Sequence, residues 1–238
     1  MKKALIIVNA EVNDQGRMLP TSPVTAKMVD AMKLAIANYS SSSISVELVA
    51  AGSLWSKSNK PIVADPQWIF CPLTIQLPDH FDFPGKEIYT ACKDIVARRN
   101  WVEKKLGYKT SVGDSWLGHL WLPIVLTAKG PLYGEVIGEG AIPNSYEQPI
   151  ELPERQRQSL YHLAYSLLDS LDAPPAVYLL QFSLYSNEIV FDRLWPFPAA
   201  PALASLRAQK PDLYACHWCC LTNQPLLDLT IVGTKVPI

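Results

Sequence analysis

One stretch of this chain constrains its fold more than any other. Val177–Leu184 is an apolar run, Glu188–Trp195 is a second, and only a short polar interval separates them. That spacing predicts two neighbouring strands joined by a turn. Pro196 and Pro198 lock the exit, because proline fixes φ and has no N–H to continue a ladder.

The rest of the chain can support such a hairpin. Its 238 residues suffice for one large domain or two small ones. A hydrophobic content of 49 %, a charged content of 18 % and seven tryptophans exclude a disordered chain. A formal net charge of −1 leaves no basic footprint for nucleic acid, and none is expected as a partner. Arg98-Arg99 and Lys104-Lys105 form the one local basic cluster, expected on a solvated helix face. Ala4–Val8 is too short for a secretory core and reads as a buried strand. No segment reaches the roughly 18–20 apolar residues of a membrane helix. A cytoplasmic protein without membrane contact is expected. Five unevenly spaced cysteines agree with that placement. Cys216-His217-Trp218-Cys219-Cys220 lacks the second ligand pair of a zinc site, since Cys71 and Cys92 stand alone, so a buried apolar segment and no metal are expected.

Ala4–Val8, Ile44–Ala50 and Gln67–Cys71 read as strands, and Val24–Tyr39 as a helix with Val24, Met28, Met32 and Ala35 on one face. That order suggests a parallel, Rossmann-like layer. The dinucleotide fingerprint is missing, because no glycine follows the first strand until Gly16. Gly85–Gly107 reads as one charged helix stopped by Gly107, Leu120–Ala128 as a strand, and Pro153–Leu171 as a helix with a stripe of Leu160, Leu163, Ala164, Leu167, Leu168 and Leu171.

Several blocks, in order, resemble the ATP-grasp superfamily, in particular biotin-carboxylase-like ligases and the carboxyaminoimidazole ribonucleotide synthetase of purine synthesis. Lys93–Arg99 through Leu106–Thr110 is similar to the segment that opens the ATP-binding domain, and Leu122–Gly130 to a strand ending in a phosphate-contacting lysine. Leu152–Leu171 resembles the helix before the metal-binding hairpin, Val177–Pro198 the hairpin itself, and Asp212–His217 with Gln224–Leu226 the closing segment. The blocks touch roughly half of the chain. The resemblance implies an α/β (α+β) protein: a Rossmann-like layer over residues 1–85, then a reduced ATP-grasp-like domain with an antiparallel sheet over 86–238.

The departures from the family bear on function. The family grips ATP through magnesium held on carboxylates, since stabilising the transferring phosphoryl group is most of its catalysis. Its first metal-binding glutamate falls on Gln181, its second on Arg193, and the exit arginine on Phe197. A cation at the second position opposes a metal by several kcal/mol in a poorly solvated cleft. The lysine position falls on Thr127, with Lys129 two residues on. The family's mobile lid has little room between Lys129 and Leu152. Gly130–Gly134 is read either as a mimic of the lid loop or as the later strand-loop, and its glycines fit simple turns as well.

No nucleophile elbow and no His-Glu-x-x-His spacing is present. His162 reads as a helix boundary residue, and Asp79, His80 and Asp82 as either a polar loop or an acid–base group. Trp116, Trp121, Trp195 and Trp218 fit core packing or an apolar groove. The expectation is therefore a non-catalytic ATP-grasp-like binding or regulatory protein with no cofactor. Its small anionic metabolite or nucleotide would meet Lys129, Tyr133, Gln181 and Arg193. Two alternatives stand beside it: an active ligase using Lys129 with Asp192 or Glu188, and a protein-interaction module anchored by Trp195 and Phe197.

Overall fold

The computed structural model describes residues 2–13, 18–19, 22–55, 67–113 and 118–232. Gly16 and Trp116 lie outside the described residues. The chain opens with β1 (Lys3–Val8), α1 (Pro23–Tyr39) and β2 (Ser45–Ala50), then a 3-10 turn over Ala51–Trp55 and β3 (Trp68–Pro72). These strands pair in parallel in the order β2-β1-β3, with Ile6 facing Leu48 on one side and Cys71 on the other. The central strand is buried from Ala4 to Val8, as expected for a parallel strand covered on both faces.

Helices α2 (Lys86–Lys93) and α3 (Ile95–Leu106) replace the single helix expected between Gly85 and Gly107. The chain breaks at Asp94, whose carboxylate accepts the Ala97 N–H at 3.0 Å and so caps a new helix. Gly107 ends α3 at φ 73°, a left-handed conformation that suits glycine. The expected solvated basic face is also corrected in part: Lys104 and Lys105 are exposed, whereas Arg99 is buried, for reasons given below.

Next come β4 (Lys109–Thr110), β5 (Leu120–Thr127), β6 (Gly130–Tyr133), β7 (Val136–Glu139), β8 (Tyr146–Ile150), α4 (Glu154–Ser170), β9 (Ala176–Tyr185) and β10 (Glu188–Trp195). They build a seven-stranded sheet in the order β4-β10-β9-β5-β7-β8, with β6 paired to β5. The sheet is antiparallel except where β4 meets β10, so it is mixed. The hairpin turn is Ser186-Asn187 with both φ values positive, 49° and 67°, which matches the right-handed twist of the strands it joins. Helix α4 buries Leu160, Leu163, Ala164 and Leu167 completely, and each leucine contributes roughly 1.5–3 kcal/mol. The chain closes with a 3-10 turn over Ala200–Ala204, α5 (Ser205–Ala208), β11 (Gln209–Lys210), α6 (Leu213–Leu221) and β12 (Thr230–Ile231).

A single hydrophobic core runs from β1 to α6, across the boundary expected at residue 85. Helix α6 packs on α1, β5 and β9 and carries Tyr214, His217 and Trp218 wholly inside. Cys216, Cys219 and Cys220 are buried on the same helix, and burial pushes the Cys220 thiol up to about 12, far from the thiolate form. An aromatic series ties the two sheets together: Phe81 stacks on Phe83 at 5.4 Å, Phe83 meets Tyr89 at 5.3 Å, Tyr89 stacks on Phe197 at 6.0 Å, and Phe197 meets Trp195 at 6.0 Å. No described helix is long and apolar enough to cross a membrane.

His217 makes this core sensitive to acid. The Val177 N–H donates to its Nδ1 at 3.1 Å, so the ring is neutral, and burial lowers its pKa to about 3. An unfolded histidine titrates near 6.5. Between those values the unfolded state binds more protons, so stability is intact above about pH 6.5 and is lost as pH falls towards 3. His217→Gln keeps an acceptor for Val177 and removes the titration. Urea unfolding at pH 7 and pH 5 should show a loss of about 1–2 kcal/mol in the parent and a smaller one in the variant.

Candidate functional site

The strand register places Gln181 directly opposite Arg193 across β9 and β10, on one face of the sheet. Trp121 of β5 lies opposite Gln181 from the other side. Between Phe191 and Arg193 the register slips, because Asp192 is an extra residue that forms a β-bulge. The bulge folds its carboxylate back into the protein instead of following strand alternation.

Asp192 is wholly buried, and both of its oxygens are taken. Oδ1 accepts Arg99 Nη2 at 2.6 Å and Arg193 Nε at 3.2 Å, while Oδ2 accepts the Gly118 N–H at 2.5 Å. Arg99 also donates Nε to the Asp192 carbonyl and Nη1 to the Gly113 carbonyl, each at 2.9 Å. Gln181 is spent in the same way. Its Nε2 donates to the Gly118 carbonyl at 2.5 Å, and its Oε1 accepts Trp195 Nε1 at 2.9 Å. The Arg193 guanidinium carbon lies 5.9 Å from the Trp195 ring centre, a cation–π distance. Gly118 sits so close to β9 that a Cβ there would come within 2.5 Å of the Phe182 carbonyl oxygen.

This arrangement does not fit a magnesium ion. The ion needs hard oxygen ligands with free lone pairs, and here one carboxylate faces two guanidinium groups while the amide oxygen is already occupied. Among the described residues no group of three or more His, Cys, Asp or Glu side chains is placed to hold a metal.

Lys129 and Tyr133, expected beside Gln181 and Arg193, lie elsewhere. Strand β5 ends at Thr127, and Lys129 occupies the exposed turn into β6, so strand alternation does not carry it towards the pair. The distance from Trp121 to Thr127 is six residues, about 20 Å along the strand. Tyr133 pairs with Ile124, on the opposite face from Trp121 by alternation. Its ring stacks on Tyr161 at 4.1 Å, and its hydroxyl donates to the Tyr161 carbonyl at 3.2 Å. Gly130 has φ 124° and starts β6, consistent with the turn reading of this segment. Glu188 pairs with Lys109 at 2.5 Å at the hairpin tip. Phe197 is buried in the aromatic series and Trp195 is half-buried, so neither is a free surface anchor. Asp79 pairs with Lys93 at the surface, and a ring nitrogen of His80 meets the Leu54 carbonyl.

Sequence reasoning allowed for a bulge at Asp192 but did not single out Arg99 or Gly118 as its partners. The adjacency of an acid and a base in Asp192-Arg193 was the available signal; the contact with Arg99 spans 93 positions and leaves no local pattern.

Two clefts accompany the network. One of about 840 Å³ lies between the start of α1 (Val24, Lys27), β8, which supplies Glu147, and the segment Leu203–Ala208, which supplies Arg207. The other, of about 500 Å³, lies between the hairpin tip and the start of α4.

No family model and no curated protein matches the chain. Solved structures do share its fold. Similarity extends to the N5-carboxyaminoimidazole ribonucleotide synthetase of Thermotoga maritima, with a TM-score of 0.69 at 11 % identity over 96 % of this chain and 77 % of that one. Glycinamide-RNase-transformylase T of Mycobacterium tuberculosis gives a TM-score of 0.66 at 12 % identity over 98 % and 82 %. The N5-carboxyaminoimidazole synthase of Aspergillus clavatus, solved with ADP and its aminoimidazole ribonucleotide, gives 0.61 at 10 % identity over 95 % and 78 %. The ATP-grasp-like architecture therefore covers nearly the whole chain.

The network predicts two outcomes. Arg99→Leu strands a buried carboxylate and should cost about 3–5 kcal/mol in urea unfolding. Gly118→Ala drives a methyl group into the β9 backbone and should cost about 1–3 kcal/mol in the same measurement.

Proposed function

We propose that this chain is a non-catalytic, ATP-grasp-like binding or regulatory protein whose ligand is a small anion. One observation carries the reading. The polar groups at the positions corresponding to the family's metal site are hydrogen-bonded to one another, with no carboxylate oxygen left for a metal. A ligase needs that metal to hold the triphosphate and to stabilise the transferring phosphoryl group. The substitutes it would call upon are otherwise engaged or distant: Asp192 is neutralised by Arg99, Glu188 sits at the hairpin tip, and Lys129 lies past the far end of β5.

The ligand belongs in the 840 Å³ cleft. Helix α1 follows the central strand of the parallel sheet, so its first turn lies near the carboxyl end of that strand, where open parallel sheets receive ligands. No acidic side chain occupies that first turn, and Lys27 and Arg207, set against the single carboxylate of Glu147, leave the cleft lining net positive. Similar structures hold ADP, and one holds a ribonucleotide as well, which makes nucleotides and their phosphorylated precursors the first probes.

Calorimetry should detect no magnesium-dependent binding of ATP; a magnesium-dependent ATPase that copurifies with the chain and is lost in Lys129→Ala would overturn the non-catalytic reading. In a thermal-shift screen of nucleoside and sugar phosphates, a true ligand at a hundred-fold excess over Kd adds about 2.7 kcal/mol. Its shift should disappear in the Lys27→Glu, Arg207→Glu double variant.

A further inference from the structure

The 840 Å³ cleft has an apolar side as well as a charged one. Lys27 and Arg207 supply the charge, and neither makes an ion pair among the described residues. Leu206, next to Arg207 on α5, lines the cleft and is 42 % exposed. Val24 and Leu203 line it too, half-buried and packed on the core. A lone exposed leucine is ordinary on a protein surface. Here it shares a concave surface with two other aliphatic side chains and two cations, and pockets for small molecules combine apolar walls with a few charged groups in this way. Tyr146 of β8 adds a half-buried aromatic ring, held edge-on against Trp121 at 5.6 Å. Fixed by that contact, the ring loses little freedom when a ligand packs on it. The volume lies within the roughly 300–1,000 Å³ of small-molecule sites, and an inorganic anion would fill only a small part of it.

Resting on the reading of this cleft as an anion site, we propose that its ligand is an aryl phosphate monoester. The phosphate would meet Lys27 and Arg207, whose two charges suit a dianion. The aromatic body would lie against Leu206, Val24 and Leu203, with Tyr146 beside it, and would remove the exposed leucine from water. A hydroxylated body such as a sugar would exchange its bonds to water for aliphatic side chains that offer none in return.

Phenyl phosphate and glucose 6-phosphate separate the two contributions, since they share a dianionic head at mildly alkaline pH and differ in the body. Titration calorimetry on the full chain should give a Kd on the order of 0.1 mM for phenyl phosphate and roughly ten-fold weaker binding of glucose 6-phosphate. Leu206→Ser should remove most of that preference by weakening phenyl phosphate, with Val24→Ser as the second variant should the first fail to fold. Lys27→Glu with Arg207→Glu should abolish the binding of both esters. Lys104→Ala, on the exposed face of α3, should change neither. Should both esters bind through Lys27 and Arg207 with equal affinity, or the preference survive Leu206→Ser, the aryl inference alone is overturned and the anion reading of the cleft stands. Absence of binding by either ester, or binding indifferent to the double variant, overturns both.

Discussion

The buried ion pair between Asp192 and Arg99 is the interaction on which the central part of this structure depends. A carboxylate with no exposure to water is costly unless it is paired and its remaining lone pairs are bonded. Here a bulge supplies the carboxylate, α3 supplies the guanidinium, and the Gly118 N–H completes the set. Three parts of the chain that are far apart in sequence are thereby held at one point. Gly118 shows how tightly: the backbone entering β5 passes so near Phe182 that any side chain would collide with it. Gln181 fastens the same residue from the other side through its carbonyl.

That network also shows how the hairpin of an ATP-grasp-like architecture can be held by its own polar groups. In a ligase the hairpin carboxylates are held ready for magnesium, which requires that their lone pairs stay available. In this chain the polar groups of the hairpin satisfy each other. Charge balance runs the same way, with two guanidinium groups around one carboxylate. The gain is a rigid junction between hairpin, α3 and the strand that follows. The aromatic series from Phe81 to Trp195 extends this junction to the parallel sheet, since Trp195 both closes the series and donates to Gln181. The two clefts lie at the margins of this junction, lined by residues outside the network.

Much of the scaffold was legible in the residues because it follows local rules. Alternation and apolar runs marked β1, β5, β9 and β10, and the 3.6-residue stripe of Leu160, Leu163, Ala164 and Leu167 marked α4. Gly107 marked a helix end for the same reason: its backbone preference acts on adjacent residues alone. The placing of Gln181 and Arg193 on the two neighbouring strands of one hairpin was readable in the same way.

Interactions over long sequence distances were not legible. Asp94 was a poor warning of a helix break, since aspartate also occurs within helices, and only its bond to Ala97 makes it a cap. Arg99 looked like one member of a basic surface pair until the fold brought Asp192 to it across 93 positions. Lys129 seemed aligned with a site because a strand was extended through it by pattern, whereas the turn at that point carries it away from the pair. Short-range stereochemistry is written into neighbouring residues and so determines helices, strands and turns. Which polar group neutralises which, and whether a carboxylate faces a ligand or an arginine, depends on contacts that exist only once the chain has folded.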